Sequence, residues 1–535
     1  MLILDVDRTD YMLMLGANPA ASNGSLMTAP DVGRRLKAIR QRGGTFVAVD
    51  PRRTETAELA DRHVFIRPGT DVLLLLAILH TLVAEGLTKP GRLEAIADGW
   101  DEVARIAGDF APERVAGATG VDAGEIRRIA REFAAAPSAV CYGRMGVSTQ
   151  EFGAVSQWLI QVINAVTGNL DRAGGAMFTL PAIDLVALAD RAGQRGHFDR
   201  RRSRVRGLPE FGGEYPVAAL AEEILTPGDG QIRAMVTVAG NPVLSTPNGR
   251  QLDEALASLD FMVSVDCYLN ETTRHAHVIL PPTSPLEHDN YDLVFHLLAV
   301  RNTAKYSPAL FDAPAGAWHE WEIFLDLAGR MGPRDAASRL KGGIFRAALK
   351  WFGPALLLDL GLRFGPYGPG WNPFADGLTL GRLKTAPHGV DLGPLEPCLP
   401  ERLRTRNRRI QLAPEVLAAD LERVRERFFG AAPEGDGDRL LLVGRRHLRS
   451  NNSWLHNSRR LVRGKPRCTL MIHPEDAARR GLSDGDVASV RSRVGRVDVP
   501  VEVTDAVMAG VVSIPPGWGH DRPGTRLGTA TAHAG

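Results

Sequence analysis

The chain has 535 residues, 44% of them apolar and 24% charged, with a formal net charge of +2. That length exceeds one hydrophobic core and implies three or four domains, while the near-neutral balance excludes a dedicated nucleic-acid binder. Four scattered cysteines, Cys141, Cys267, Cys398 and Cys468, form no Cys-x-x-Cys pair, which excludes a cysteine motif for zinc or an iron–sulfur cluster here and fits a reducing, cytoplasmic setting.

Residues 1–5 lack the basic start and long apolar stretch of a signal peptide. Met12-Leu13-Met14-Leu15 reads as a strand buried on both faces, leading into the turn Gly16-Ala17-Asn18-Pro19. Val32, Leu36 and Ile39 recur on one helical face, with Pro30 in the first turn and Gly43-Gly44 as the stop. Phe46-Val47-Ala48-Val49 is the next strand, and it ends at Asp50-Pro51-Arg52. In such βαβ units ligands bind at the carboxyl ends of the strands. After Pro68-Gly69-Thr70, Asp71 is the expected N-cap of a buried helix over residues 73–83, which is too short to cross a bilayer.

Helices are expected from Pro90 and from Asp122. Ser138 to Tyr142 reads as a strand running into the glycine-bounded turn Gly143-Arg144-Met145-Gly146, with Gln150 just beyond, and a helix follows over 152–166. Gly168-Asn169-Leu170-Asp171 and Gly174-Gly175 close the first domain. The basic run Arg200 to Arg206 reads as solvated surface.

A second copy of the unit follows. Met235 to Val238 leads into Gly240-Asn241-Pro242; Leu252, Leu256 and Leu259 repeat the helical spacing; Phe261 to Val265 ends at Asp266. A constant offset of 216 residues separates Asp50 from Asp266, Glu55 from Glu271 and Ala60 from Ala276. The repeat predicts two related α/β domains facing one elongated ligand. His275, His277 and His288 do not make a metal set: on an alternating strand the first two share a face without a third ligand.

Residues 331–432 are less periodic, and the arginine-rich stretch from Arg402 to Arg409 reads as a linker or strand edge. Residues 351–364 are too short to span a membrane and Pro354 breaks them. Pro433-Glu434-Gly435-Asp436-Gly437-Asp438 is a flexible boundary. Beyond it Val497, Val499, Val501 and Val503 alternate with polar residues or proline, and Gly485-Asp486 and Val494-Gly495 read as hairpin turns. Six or seven strands forming a small barrel are expected there.

The ordered set Gly16-Ala17-Asn18-Pro19, Val49-Asp50-Pro51-Arg52-Arg53-Thr54-Glu55-Thr56, Arg67-Pro68-Gly69-Thr70-Asp71, Met145-Gly146, Thr167-Gly168-Asn169-Leu170, Gly240-Asn241-Pro242, Val278-Ile279-Leu280-Pro281, His473-Pro474-Glu475-Asp476 and Gly481-Leu482-Ser483-Asp484-Gly485-Asp486 resembles the molybdopterin oxidoreductase family, which includes dimethyl sulfoxide reductase, periplasmic nitrate reductase and formate dehydrogenase. The resemblance implies two pseudo-symmetric doubly wound α/β domains (1–180 and 181–330), a connecting region (331–437) and a C-terminal double-psi β-barrel (438–535). It implies molybdenum bis(molybdopterin guanine dinucleotide), a two-electron reaction on a small substrate and an electron-transfer partner, with no membrane span.

By the same resemblance, Gly16 to Asn23, with Asn18 and Pro19, and Asp50, Pro51, Arg52, Gly69 and Asp71 hold one dinucleotide. Asn241, Val265 and Asp266 hold the other. Met145, Gly146 and Gln150 lie near the metal. Gly444, Arg445, His447, Asn452, Ser453, Trp454 and Trp518 contact pterins. His288 stands where many relatives carry Lys, between pterin and cluster.

In relatives, a four-cysteine iron–sulfur domain and the metal's Cys, selenocysteine or Ser ligand precede the motif at Gly16. The molybdenum ligand, and with it the catalytic residue, is accordingly expected upstream of Met1. The chain is expected to be a truncated relative that lacks turnover alone. The alternative is a non-catalytic cofactor-binding remnant. The substrate, formate-like or nitrate-like, is not legible.

Overall fold

A computed structural model describes residues 2–331, 336–430 and 439–534 apart from 23, 25 and 373, and gives the backbone alone for 336–341, 345 and 534. Three sequence expectations therefore lie outside the described residues: the metal ligand expected upstream of Met1, with Met1 itself, the part of Asn23 in the first dinucleotide turn, and the boundary at 433–438.

Four parallel strands build the first sheet in the order Arg62–Val64, Thr45–Val49, Tyr11–Leu15, Ala139–Gly143. Every residue of Tyr11–Leu15 is buried, as a continuous apolar run predicts. Helices Val32–Gln41, Asp71–Ala84, Ala123–Ala135 and Gly153–Val166 cover it. The strand order reverses beside Tyr11–Leu15, so the turn at Gly16 sits at the topological switch point, where such sheets bind ligands. Pro30 lies outside the helix expected to contain it: Asp31, in the left-handed region, precedes Val32–Gln41. Asp71 is the first helical residue rather than the N-cap, which is Thr70. Residues 91–96 form a 3-10 turn rather than an α-helix.

The second sheet has three parallel strands, Ala234–Val238, Phe261–Val265 and Val278–Ile279. Helix Gly249–Ala257 packs Leu252 and Leu256 beneath it, with Leu259 just beyond. The stretch expected to be irregular holds helices Ala336–Arg363, Leu380–Lys384, Glu415–Ala419 and Leu421–Phe429. Sequence periodicity was blurred there by the break at Gly353-Pro354 and by short elements. Leu395, Leu412, Leu421 and Val424 join the core of the first α/β unit, and Trp158 donates its indole N–H to the Leu412 carbonyl at 2.7 Å.

Among the described residues the C-terminal region forms a mixed sheet of five strands, against the six or seven expected: Leu441–Gly444, Val511–Ile514, Leu470–Ile472, Arg496–Val503 and Val487–Arg491 in spatial order. Val494-Gly495 is the expected hairpin turn, closed by Ser492 N–H on the Gly495 carbonyl at 2.8 Å. Gly485 instead ends the turn that follows helix Pro474–Arg479, leading into a strand. Val499 and Val501 face the core while Val497 is exposed.

Candidate functional site

The two Asn-Pro turns carry the same hydrogen bonds. Asn18 Nδ2 donates to Glu55 Oε2 at 2.8 Å, and Asn241 Nδ2 donates to Glu271 Oε2 at 2.6 Å. Thr56 Oγ1 donates to Asn18 Oδ1 at 2.8 Å, and Thr272 Oγ1 to Asn241 Oδ1 at 2.7 Å. Each threonine hydroxyl also caps a backbone N–H just past the proline, Ala20 at 3.0 Å and Val243 at 3.2 Å. At each strand end the aspartate takes the amide two residues on, Asp50 from Arg52 and Asp266 from Tyr268, both at 2.9 Å. Val265, fully inside the second sheet, accepts Ala239 N–H at 2.9 Å, as Val49 accepts Gly16 N–H at 3.0 Å. Glu55, Thr56, Glu271 and Thr272 are thus part of the architecture, although the sequence showed them only as matched letters.

Gly16 and Gly146 meet backbone to backbone. Gly146 N–H donates to the Gly16 carbonyl at 2.9 Å, and a Cβ on Gly146 would lie 2.7 Å from the Gly16 Cα. The Gly-x-x-Gly turn, weak as a motif, therefore has a steric cause. Gly69, at φ 85°, faces Gln150, whose side chain donates to the Gly146 carbonyl at 2.7 Å. Met145 projects to solvent beside them. Gly16, Asn18, Pro19, Asp50, Pro51, Arg52, Gly69, Asp71, Met145, Gly146 and Gln150 all lie at the carboxyl edge of the first sheet or on the loops beside it.

Two carboxyls share that edge, Asp71 buried and Asp50 half-buried. Burial pushes Asp50 up to about 6, against the pull of the Arg52 amide and charge. Burial pushes Asp71 up to about 7, and the Asp50 charge adds to it. Both carboxyls are short of donors, which a ligand could supply.

The C-terminal region touches both turns. Arg52 bridges to Val507, Arg53 N–H donates to the Ala506 carbonyl at 2.6 Å, and Met508 N–H to the Pro51 carbonyl at 3.1 Å. Just past Gly444, burial lowers Arg445 to about 10, with the Arg52 charge also lowering it and Glu502 opposing. Its guanidinium donates to the Ser513 carbonyl and to the Thr469 carbonyl at 2.7 Å. Burial and the Arg467 charge push His447 below the usual imidazole range, while Glu55 pulls the other way. On the other side, His520 Nδ1 pairs with Glu271 Oε1 at 3.1 Å, and His520 Nε2 with His456 Nδ1 at 3.1 Å. Burial pushes His456 down to about 4, with the His520 charge adding. Trp518 Nε1 is buried without a hydrogen-bond partner among the described residues, and its ring lies 4.4 Å from that of His456. Neither histidine was singled out by sequence, since they lie 64 residues apart and only the fold joins them to Glu271. Asn452, at φ 64°, and Ser453 form the neighbouring turn, where a Cβ on Gly517 would meet Ser453 Cβ at 2.7 Å. Trp454 is exposed there.

His288 stands apart from this cluster, 3.3 Å from the Thr283 hydroxyl, which also contacts His319. His275 lies in a 3-10 turn, not on an alternating strand, and its Nε2 pairs with Asp253 at 2.6 Å. His277 Nδ1 accepts the Met262 N–H at 3.0 Å. A cavity of about 980 Å³ lined by Phe178, Ile183, Leu360, Phe364, Tyr367 and Arg402 includes none of the residues expected to bind cofactor.

A family model described as "Molybdopterin oxidoreductase" matches residues 2–330, and one described as "Molydopterin dinucleotide binding domain" matches residues 440–534. Formate dehydrogenase H of Escherichia coli (strain K12) is 29% identical over 348 residues, covering 62% of this chain and 46% of that protein. The assimilatory nitrate reductase catalytic subunit of Bacillus subtilis (strain 168) is 26% identical over 346 residues, covering 61% and 46%. This chain thus spans about half the length of both relatives. Among solved structures, acetylene hydratase from Pelobacter acetylenicus superposes with a TM-score of 0.74 at 20% identity, covering 98% of this chain and 73% of that one, a likeness of fold.

Proposed function

The chain belongs to the molybdopterin oxidoreductase family, and from that premise we propose that it forms the cofactor-gripping body of a formate dehydrogenase-like or nitrate reductase-like catalytic subunit. Its C-terminal region is a molybdopterin dinucleotide binding domain. Two guanine dinucleotides are proposed, one at each Asn-Pro turn. The observation that carries this is the duplicated Asn–Glu–Thr bonding, bracketed on both sides by the C-terminal region.

The donor set suits such a ligand. Asp50 and Asp266, with Asp71, offer carboxylates to guanine N–H groups or ribose hydroxyls. Half-buried Arg445, held near Arg52, forms no ion pair with a carboxylate among the described residues and suits pyrophosphate. The loops carrying Gly16, Asn18, Pro19 and Gly69, with Pro51 and Arg52, cradle the first dinucleotide; Asn241 and Val265 help cradle the second. Gly444, His447, Asn452, Ser453, Trp454 and Trp518 line the pterin side, where the buried Trp518 Nε1 has no hydrogen-bond partner among the described residues. Met145, Gly146 and Gln150 wall the reacting end, and His288 lies toward the electron path. When bound, the molybdenum centre supplies the two-electron redox change. A small substrate, an electron-transfer partner and, with thiolates from elsewhere, an iron–sulfur cluster complete the proposal.

A second reading, cofactor binding without turnover, is favoured by the cysteines. Cys141 is buried within the first sheet, and among the described residues no group of three or more His, Cys, Asp or Glu side chains gathers where a metal ion could be held. Purified chain from a cofactor-producing host separates the readings. About two guanine nucleotides and one molybdenum per chain, with dye-linked turnover, support the first reading. The same loading without turnover supports the second, and no nucleotide would contradict both.

A further inference from the structure

The two Asn-Pro turns hold the same carboxylate but neutralise it differently. In the first, Arg52 lies 3.6 Å from Glu55 Oε2, the oxygen that also takes the Asn18 amide at 2.8 Å. Glu55 is half open to solvent, so water shares its charge. The 216-residue offset that carries Glu55 to Glu271 carries Arg52 to Tyr268, an exposed phenol that brings no charge. Glu271 is nevertheless the more demanding of the two, because its side chain is fully buried. A buried carboxylate needs a cation as well as hydrogen bonds. The neighbouring arginines are engaged elsewhere: Arg274 and Arg522 both pair with Asp253, at 2.7 and 2.9 Å.

The cation comes from the C-terminal region. His520, 3% exposed, turns Nδ1 to Glu271 Oε1 at 3.1 Å and Nε2 to His456 Nδ1 at 3.1 Å. A carboxylate only accepts, so His520 Nδ1 carries a proton. Burial pushes His456 down to about 4, with the His520 charge adding, so the His456 ring is neutral and has one N–H. His456 also holds a backbone hydrogen bond at Gly517 that favours its protonated form, the mark of a carbonyl acceptor. That bond uses the ring's one N–H, so His456 Nδ1 faces His520 as a lone pair. Both nitrogens of His520 are therefore donors, and the ring is an imidazolium.

Resting on the proposed reading of one dinucleotide at each Asn-Pro turn, we infer that His520 is the cationic positioning residue of the second half and stands in for Arg52. It fixes Glu271, and through Glu271 Oε2 it fixes the Asn241 side chain, held at 2.6 Å, in the form that grips the second dinucleotide. The test compares cofactor-loaded full chain with His520→Gln, which keeps an amide donor and loses the charge. The wild type should hold about two guanine nucleotides, and His520→Gln should release one of them at least about tenfold faster. Adding Asp266→Ala should cause little further loss, whereas adding Asp50→Ala should remove the other nucleotide. Tyr268→Arg, which places a cation three residues before Glu271 as Arg52 precedes Glu55, should recover the lost nucleotide in the His520→Gln background. Selective nitrogen-15 labelling of histidine reads the charge without cofactor: one buried ring should show slowly exchanging protons on both nitrogens, and that signal should vanish in His520→Gln. Full retention by His520→Gln overturns the inference, as do loss of both nucleotides, failure of Tyr268→Arg to restore one, or a His520 ring with a single N–H. Wild-type chain without nucleotide refutes the dinucleotide reading instead, and the ring signal then decides the charge of His520 by itself. The same signal, read on the wild type, decides it even if His520→Gln misfolds.

Discussion

Around Asn18 the supporting sheet has four strands, and the strand leading into the turn is buried on both faces. Around Asn241 three strands leave Val236, Val238 and Phe261 exposed. The first turn begins at Gly16, φ 53°, and the second at Ala239, φ 47°, a residue with a side chain in the same left-handed conformation. Glu55 is half open to solvent, whereas Glu271 is fully buried against His520. The bonding within each turn is nevertheless the same. The cassette of Asn, Glu and Thr, not the depth of the sheet beneath it, is therefore what the two halves share. The second half gains its support from the C-terminal region instead: Asp253 gathers Arg274, His275 and Arg522, and Arg526 N–H reaches the Leu269 carbonyl at 2.8 Å.

The largest asymmetry is at the turn starts. Gly16→Ala adds a Cβ within 2.7 Å of Val147 N and 2.8 Å of the Gly146 carbonyl carbon. Left-handed strain of about 1–2 kcal/mol and overpacking of about 1–3 kcal/mol should combine to cost roughly 3–4 kcal/mol. Ala239→Gly should be neutral or stabilising by up to about 1 kcal/mol, since strain relief opposes the added chain entropy. Thermal midpoints of the two variants check the pair; equal losses would break the comparison.

Next is the pH response of the first half. The folded-state pKa values of Asp50 and Asp71 stand above the unfolded value, so the native chain binds more protons between about pH 4 and 7. Stability from these groups is present at low pH and is lost as pH rises through 6 to 7. At about 1.4 kcal/mol per unit, Asp71→Asn should recover on the order of 4 kcal/mol at pH 8 and flatten the profile. Urea midpoints across pH 5–8 measure this; an unchanged slope would remove the claim that Asp71 is a strained carboxyl.

A smaller effect separates the glutamates. Burial pulls Glu271 up, but hydrogen bonds from His520 and Asn241 outweigh it and hold the carboxyl below its usual range. Its stabilisation is thus present above the unfolded pKa and disappears as pH falls through the lowered folded value. Glu271→Gln should cost about 1.5–3 kcal/mol at neutral pH and far less in acid, whereas Glu55→Gln, half exposed, should cost about 0.5 kcal/mol or less. Equal costs at pH 7 would mean that burial does not distinguish the two halves.

Much of this was legible because strand ends and turns leave local signals. Asn-Pro, Asp50 and Asp266 stood at the ends of apolar runs, and the constant offset exposed the repeat. Asp71 was misread as a cap because its burial comes from distant packing, which no local pattern records. His456 and His520 were invisible for the same reason, since only the C-terminal region's docking onto the second repeat gives them a partner. For His275 it was the local geometry that was missed, since alternation was assumed where the chain forms a 3-10 turn.

The central claim is that each half grips its own dinucleotide, and guanine nucleotide released per chain measures it most directly. On the proposed reading, Asp50→Ala and Asp266→Ala would each remove a charge-assisted contact worth about 1.5–3 kcal/mol. The account predicts about two nucleotides from the wild type, about one from each single variant after extended dialysis, and fewer still from the double variant. Wild-type chain holding none, or both single variants retaining full content, would contradict it.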